Sequence, residues 1–319
     1  ILIIGFGSIG QRHFRNIKKI FKGKINFFLL RKIYKTPILT KNNNVKKNQI
    51  VSTKSISYIK NLNDIKIKKI NLQAAFICSP TSFHIEQLNW LIKNDINTFV
   101  EKPLSNNFKG LSKLKKINKK SSAITMIGYQ MRFNPLINFL SNEENFFKFI
   151  GKLNFVEIKN GEDVRDFHPW EDYSKSYTSK KKLGGGVTLS QIHEFDYFNL
   201  IFKKYKIVEC KSLILKTSNL KIDVDDTSSH LLHLRRKNEN VICVINLNFY
   251  ENPKTRTIKF VGDKGCLIAN LNRNHITIFK KKKKIIKKFN FKKNDIFINE
   301  LKYFFNCIKK KQKKHELDI

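Results

Sequence analysis

The chain has 319 residues, a hydrophobic fraction of 41% and a formal charge of +38, from 63 Lys and Arg against 25 Asp and Glu. Such a length suggests about two ordinary domains with ample material for packed cores, and no apolar run reaches the ~18–20 residues of a membrane span. The charge is mostly Lys spread over the whole length beside abundant Ile, Asn and Phe, a pattern of A/T-rich codon usage, so no specific nucleic-acid partner and no membrane is expected, only weak attraction to polyanions.

In chain order, the first 130 residues alternate short apolar runs with helical patterns, the signature of a parallel sheet with crossover helices. Strands are expected at Ile1–Ile4, Ile25–Leu30, Gln49–Ser52, Ala74–Cys78, Asn97–Val100 and Ala123–Ile127. Helices are expected at Ile9–Phe21, Ser82–Lys93 and Phe108–Lys119, and polar Lys41–Asn48 reads as a surface loop. The pattern then changes. After a helix near Pro135–Glu144, strand-like segments follow at Lys152–Ile158, Ile207–Lys216, Ser228–Leu234, Val241–Phe249, Thr257–Val261, Leu267–Ala269 and Ile276–Phe279. They suggest an antiparallel or mixed sheet with one helix inserted near Val187–Phe202, and Lys280–Phe289 looks like an exposed strand face. Helical Ile296–Lys309 comes last.

Cys78, Cys210, Cys243, Cys266 and Cys307 are odd in number, scattered, and without a Cys-x-x-Cys pair. They read as reduced thiols of a cytoplasmic protein rather than a disulfide frame, and no metal site is expected.

Two motifs carry chemistry. Gly5-Phe6-Gly7-Ser8-Ile9-Gly10 stands directly behind Ile1–Ile4 and before an amphipathic helix. In such a turn the first glycine permits a tight exit from the strand and the second lets the backbone approach a pyrophosphate. The third allows close helix–strand packing, and the helix N-terminus offers N–H groups to the phosphates. Some 20 residues on, an NAD site usually places an acid on the ribose 2′-hydroxyl; here Leu30-Arg31-Lys32 stands instead. An arginine there suits a 2′-phosphate, which favours NADP over NAD. The second motif is Glu101-Lys102-Pro103. A lysine where the nicotinamide ring should lie is a candidate proton-transfer group for hydride chemistry.

The chain resembles the Gfo/Idh/MocA oxidoreductases (glucose–fructose oxidoreductase, inositol dehydrogenase and rhizopine catabolism proteins) over nearly its whole length. The marks are the glycine turn, Cys78-Ser79-Pro80-Thr81 with His84, Glu101-Lys102-Pro103-Leu104, Gly128 to Pro135, and Gly184-Gly185-Gly186 with His193. The resemblance implies an N-terminal Rossmann doubly wound parallel sheet, residues 1–128. It also implies an α/β domain with a large, mostly antiparallel open sheet, residues 129–319, which often serves in homo-oligomerisation. Ser79, Pro80, Thr81, His84 and Glu101 are then expected beside the dinucleotide, and Lys102 at the reacting carbon as the base that takes the hydroxyl proton.

Relatives commonly carry an acid one turn before the histidine; Ser190 stands there instead. His193 is expected to be the second catalytic group, a ligand for a substrate hydroxyl, or a structural residue. Asp196 is a helical neighbour able to replace part of the missing acid, whereas Glu194 is expected on another face as an exposed ion-pair partner. Trp170, Tyr173 and Tyr177 lie in a stretch of aromatics and hydrogen-bonding groups that suits a sugar, and the two tyrosines share a face if it is helical. Arg132 either anchors an acidic substrate group or braces the domain junction.

The leading expectation is an NAD(P)-dependent oxidoreductase of a sugar, cyclitol or nucleotide-linked sugar. Redox-assisted elimination or glycoside cleavage with retained cofactor, and a noncatalytic ligand sensor on the same scaffold, are the alternatives. With Ile1 already inside a strand and the stretch His315 to Ile319 at the end, the chain is expected to lack an initiator Met and a further C-terminal helix.

Overall fold

The computed structural model describes residues 1–22, 25–30, 37–39, 45–46 and 56–319. Arg31, the strand expected over Gln49–Ser52 and most of Lys41–Asn48 lie outside the described residues. The chain forms two compact units, Ile1–Tyr129 with Lys182–Gly184 and Phe297–Ile319, and Gln130–Lys181 with Gly185–Ile296.

The first unit runs β1 (Leu2–Ile4), α1 (Ser8–Ile20), β2 (Phe27–Leu30), β3 (Ile38–Leu39), β4 (Val45–Lys46), β5 (Ile56–Ile59), α2 (Asn63–Ile67), β6 (Ala75–Ile77), α3 (His84–Lys93), β7 (Thr98–Glu101), α4 (Leu111–Lys120) and β8 (Thr125–Gly128). Most of the helix Asp295–Lys309 belongs with it. Six strands form a parallel sheet in the order β5-β2-β1-β6-β7-β8. The order reverses between β1 and β6, and a doubly wound sheet binds its ligands outside the carboxyl ends of the strands at that reversal. One face packs Leu2, Ile4, Ala75, Ile77 and Val100 against Leu88, Leu91 and Leu114 of α3 and α4. On the other, the Phe76 and Phe99 rings meet Phe304 of the last helix. Two details differ from the sequence reading. Ile56–Ile59 is a strand, pairing in parallel with β2, and Val45–Lys46, expected as loop, pairs with Ile38–Leu39.

The second unit contains α5 (Pro135–Ser141), α6 (Glu144–Ile150), β9 (Leu153–Gly161), α7 (Val187–Ser190), α8 (His193–Ile201), β10 (Lys206–Leu215), β11 (Thr227–Arg236), β12 (Glu239–Asn248), β13 (Thr255–Gly262), β14 (Cys266–Asn270), β15 (His275–Lys280) and β16 (Lys283–Lys288). Its eight strands lie in the order β10-β11-β12-β9-β13-β14-β15-β16, antiparallel except for β12 beside β9. Ile158 therefore stands opposite both Ile245 and Ile258. Phe146 of α6 and Phe202 after α8 pack their rings on Phe260 of β13. The helix expected near Val187–Phe202 is in fact two, interrupted at Gln191 and Ile192. The helix expected near Pro135–Glu144 is α5: Asn134 caps it, its side chain accepting from Leu136 N–H with Pro135 in the first turn, and extended Asn142 ends it. Among the described residues no helix is long and apolar enough to cross a membrane.

Candidate active site

The glycine turn sits at the reversal of the first sheet. Gly5, at φ +85°, lies so close to the end of β6 that a Cβ there would stand 2.6 Å from Cys78 O, and one on Gly10 would stand 2.4 Å from Gly5 O. A Cβ on Gly7 would meet nothing within 4 Å among the described residues. Two glycines thus close the turn against the protein and the middle one faces open space. Gly7 also caps α1 with no side-chain hydrogen bond, and no acid stands in the first turn. Lys18 and Lys19 in the last turn complement the helix dipole. Gln11 braces the turn from within, its Nε2 donating to Phe6 O at 3.2 Å and Pro37 O at 2.9 Å. A helix N-terminus with uncapped N–H groups, no anion of its own and clear space in front fits a pyrophosphate.

Behind β6, Ser79 Oγ donates to Gln87 Oε1 at 2.7 Å, and Thr81 is buried in the short turn that leads into α3. His84 is buried too, with Nδ1 2.9 Å from Pro103 O and Nε2 2.8 Å from Ser79 O. Burial pulls its pKa below the usual histidine value, against the opposing pull of those carbonyls and of Glu101. The ring therefore backs the Ser79–Thr81 loop. Lys102 follows β7, partly exposed, joined to Pro103 by a cis peptide bond. Glu101 is buried with Oε1 2.7 Å from Nε2 of His13, a fully buried residue of α1 that the sequence reading missed. The Cys78 thiol is pushed well up by burial, so it is no nucleophile at neutral pH.

In the second unit, α8 opens with His193 and Glu194 and carries Asp196 one turn later. Asp196 is held by Arg132. Both of its oxygens accept from Arg132 Nε, at 3.0 and 3.1 Å, and Nη2 adds a bond of 2.7 Å. Arg132 is thereby committed to a carboxylate of its own unit, in the short turn Gln130–Phe133. Burial raises the Asp196 pKa, and the guanidinium pulls it back. Glu194, expected to be exposed, is fully buried and pairs with Arg256 of β13 at 2.8 Å. The start of α8 lies over the sheet, so the residue beside the histidine turns inward. Ser190 ends α7 and is partly buried. Tyr173 and Tyr177 stand in successive short turns, Tyr173–Lys175 and Tyr177–Ser179, rather than on one helical face. The Tyr173 hydroxyl accepts from Lys221 N–H at 3.2 Å, and Trp170 lies 5.0 Å from the His168 ring. Among the described residues no group of three or more His, Cys, Asp or Glu is placed to hold a metal ion.

The first unit thus has the strand order, turn and helix placement of a Rossmann sheet. Residues 1–129 match the family model described as the oxidoreductase family, NAD-binding Rossmann fold. No curated protein matches the chain in sequence. Among solved structures, myo-inositol 2-dehydrogenase from Lactobacillus plantarum is 19% identical with a TM-score of 0.72, the match covering 98% of this chain and 90% of that one. UDP-N-acetylglucosamine 3-dehydrogenase from Acidithiobacillus ferrooxidans is 14% identical with a TM-score of 0.71, over 97% and 88%. An inositol dehydrogenase homolog from Azotobacter vinelandii, complexed with NAD+, is 12% identical with a TM-score of 0.59. There the match covers 69% of this chain and 58% of that one. At these identities the likeness is one of fold.

Proposed function

We propose that this protein is an oxidoreductase that uses a nicotinamide dinucleotide to interconvert a hydroxyl and a carbonyl on a sugar, cyclitol or nucleotide-linked sugar. The observation that carries this reading is the carboxyl edge of the first sheet. The glycine turn follows β1, the Ser79–Thr81 loop follows β6 and Lys102 follows β7, three neighbouring strands of one sheet. The family match and the dehydrogenases of similar fold support it.

In this reading Gly5 to Gly10 hold the pyrophosphate, with Ser79, Pro80 and Thr81 beside the ring. When bound, the dinucleotide accepts or supplies the hydride. Lys102 takes the hydroxyl proton as the carbonyl forms and returns it in the reverse direction. His193 assists or holds a substrate hydroxyl, and Ser190, Trp170, Tyr173 and Tyr177 are the groups suited to a sugar. Arg132 is assigned to holding Asp196 rather than a substrate acid. A preference for NADP rests on Arg31, and Arg31→Asp should weaken NADP more than NAD. The exposed apolar residues of the second sheet, among them Leu213, Leu231 and Ile286, suit a homo-oligomeric contact.

The test is a screen of sugars, cyclitols and nucleotide sugars with NAD and NADP, read by absorbance of the reduced nicotinamide. With the substrate found, Lys102→Met should lower turnover roughly 10²–10⁴-fold while dinucleotide affinity stays nearly intact. Unchanged turnover in that variant removes the lysine from the mechanism.

A further inference from the structure

Lys102 stands between two residues that are each tied to a buried histidine. Before it, Glu101 Oε1 lies 2.7 Å from His13 Nε2. A carboxylate only accepts, so Nε2 carries the hydrogen. After it, the Pro103 carbonyl lies 2.9 Å from His84 Nδ1; a neutral ring has one N–H, and giving it to Pro103 leaves the opposite nitrogen packed 2.8 Å from Ser79 O without donating to it. The first tie runs to α1, three residues beyond Gly10; the second runs to the loop behind β6. Neither ring touches a ligand directly, since His13 is 0% and His84 1% exposed.

Packing alone does not explain a histidine at position 13. Its ring lies 5.7 Å from Phe76 and 5.1 Å from Phe99, surroundings in which an apolar side chain would be at home. A polar ring there is unfavourable unless its hydrogen bond is used. The bond it makes holds the residue next to Lys102.

We infer that His13 and His84 are positioning residues, fixing the segment around Lys102 to the glycine-turn helix and to the Ser79–Thr81 loop. The inference rests on reading Lys102 as the proton-transfer group. A proton-transfer group works only within hydrogen-bond reach of its target, and a misplacement of about 1 Å costs on the order of 100-fold in rate. Lys102 has a long flexible stem, so the placement of its backbone sets where the amine can go. Two struts on its neighbours restrict that backbone without occupying the space in front of it.

Amide hydrogen exchange followed by mass spectrometry, with and without NADH, tests this on the full chain. His13→Phe preserves bulk and removes the tie; His13→Gln retains an N–H donor; His84→Phe cuts the second tie. Exchange in 101–106 should rise about tenfold in His13→Phe, while β1 and β6 keep their protection. His13→Gln should restore most of it. His84→Phe should loosen 79–83 together with 101–106, and NADH should protect these segments less in both phenylalanine variants. An even rise across β1, β6 and β7, no rise in 101–106, or no rescue by glutamine overturns the inference and makes the histidines ordinary core residues. The base reading fails separately: Lys102→Met should leave exchange unchanged, and full turnover in that variant ends the proton role alone.

Discussion

The two sheets bury their strands in different ways. In the six-stranded parallel sheet β1, β6 and β7 are buried at every residue, because side chains from helices cover both faces. A parallel sheet so enclosed reads as unbroken apolar runs. In the eight-stranded sheet burial alternates, as along β14 and β15, and the edge strands β10 and β16 are exposed throughout. Leu213 in β10 keeps 68% of its surface and Ile286 in β16 keeps 53%. The first sheet commits both faces to its own core and leaves only its carboxyl edge for chemistry. The second commits one face and keeps apolar surface on the other. Under the proposed function the roles divide accordingly: a dinucleotide end needs a rigid edge, and the open sheet has area available for association.

The sharpest way to break this comparison is to truncate one large apolar side chain in each sheet to Ala. Phe76, fully buried between helices, should cost about 3–5 kcal/mol on truncation to Ala. Leu213→Ala should change the stability of the isolated chain by no more than about 0.5 kcal/mol. Denaturant melts of both variants check this. Comparable losses would show that β10 is covered in solution, as in a homo-oligomer, and dilution should then restore the difference.

Periodicity explains why so much of this was legible. Short apolar runs such as Ala74–Cys78 separated by helical patterns, and later strand-like segments following one another with turn signals between some of them, announced two different sheets, and the charged alternation after Lys280 announced an exposed strand. The glycine turn was legible because close backbone approach needs glycine at Gly5 and Gly10, whereas Glu101-Lys102-Pro103 stood out through the resemblance and the chemistry of its lysine. The misses are residues whose partners lie far away in sequence. His13 pairs with Glu101 88 residues on, and its only local trace is membership of the buried stripe of α1 with Gly10, Phe14 and Ile17. Glu194 was expected to be exposed, because nothing near it announces that Arg256 waits on β13. The break between α7 and α8 carries no proline or glycine to mark it. Asp196 was correctly placed one turn from His193, yet it is taken by Arg132, a choice set by tertiary packing.

Within the first sheet the same contrast between closed and open space recurs at atomic scale. Gly10→Ala drives a Cβ to 2.4 Å from Gly5 O, a backbone atom that must shift, at a cost on the order of 1–3 kcal/mol. Gly7→Ala meets nothing among the described residues and should leave the melting midpoint nearly unchanged. NADH titration should separate them from the other side: Gly7→Ala loses affinity because its methyl group occupies space needed by the pyrophosphate. Undiminished NADH affinity in Gly7→Ala would place the dinucleotide elsewhere.

The smallest effect concerns pH and again compares the units. Burial lowers the pKa of His84 and His315 in the first unit and of His230 in the second, each from 6.5. A depressed histidine binds its proton more readily when unfolded. Its contribution to stability is therefore complete above about pH 6.5 and declines as pH falls towards the folded value. Each such histidine can add a slope of at most about 1.4 kcal/mol per pH unit. Thermal melts from pH 7.5 to 5.5 should show the midpoint falling, before most carboxylates begin to titrate. His84→Asn should flatten that slope for the first unit and His230→Asn for the second, because each removes a proton site that favours the unfolded chain. His84 is the more deeply buried of the two, at 1% exposed against 6%, but its carbonyl contacts and Glu101 offset part of its desolvation, whereas desolvation alone lowers His230. The slope should therefore flatten in the same direction for the two substitutions. An unchanged slope in both would mean that acid acts through the chain's surplus positive charge rather than through buried imidazoles.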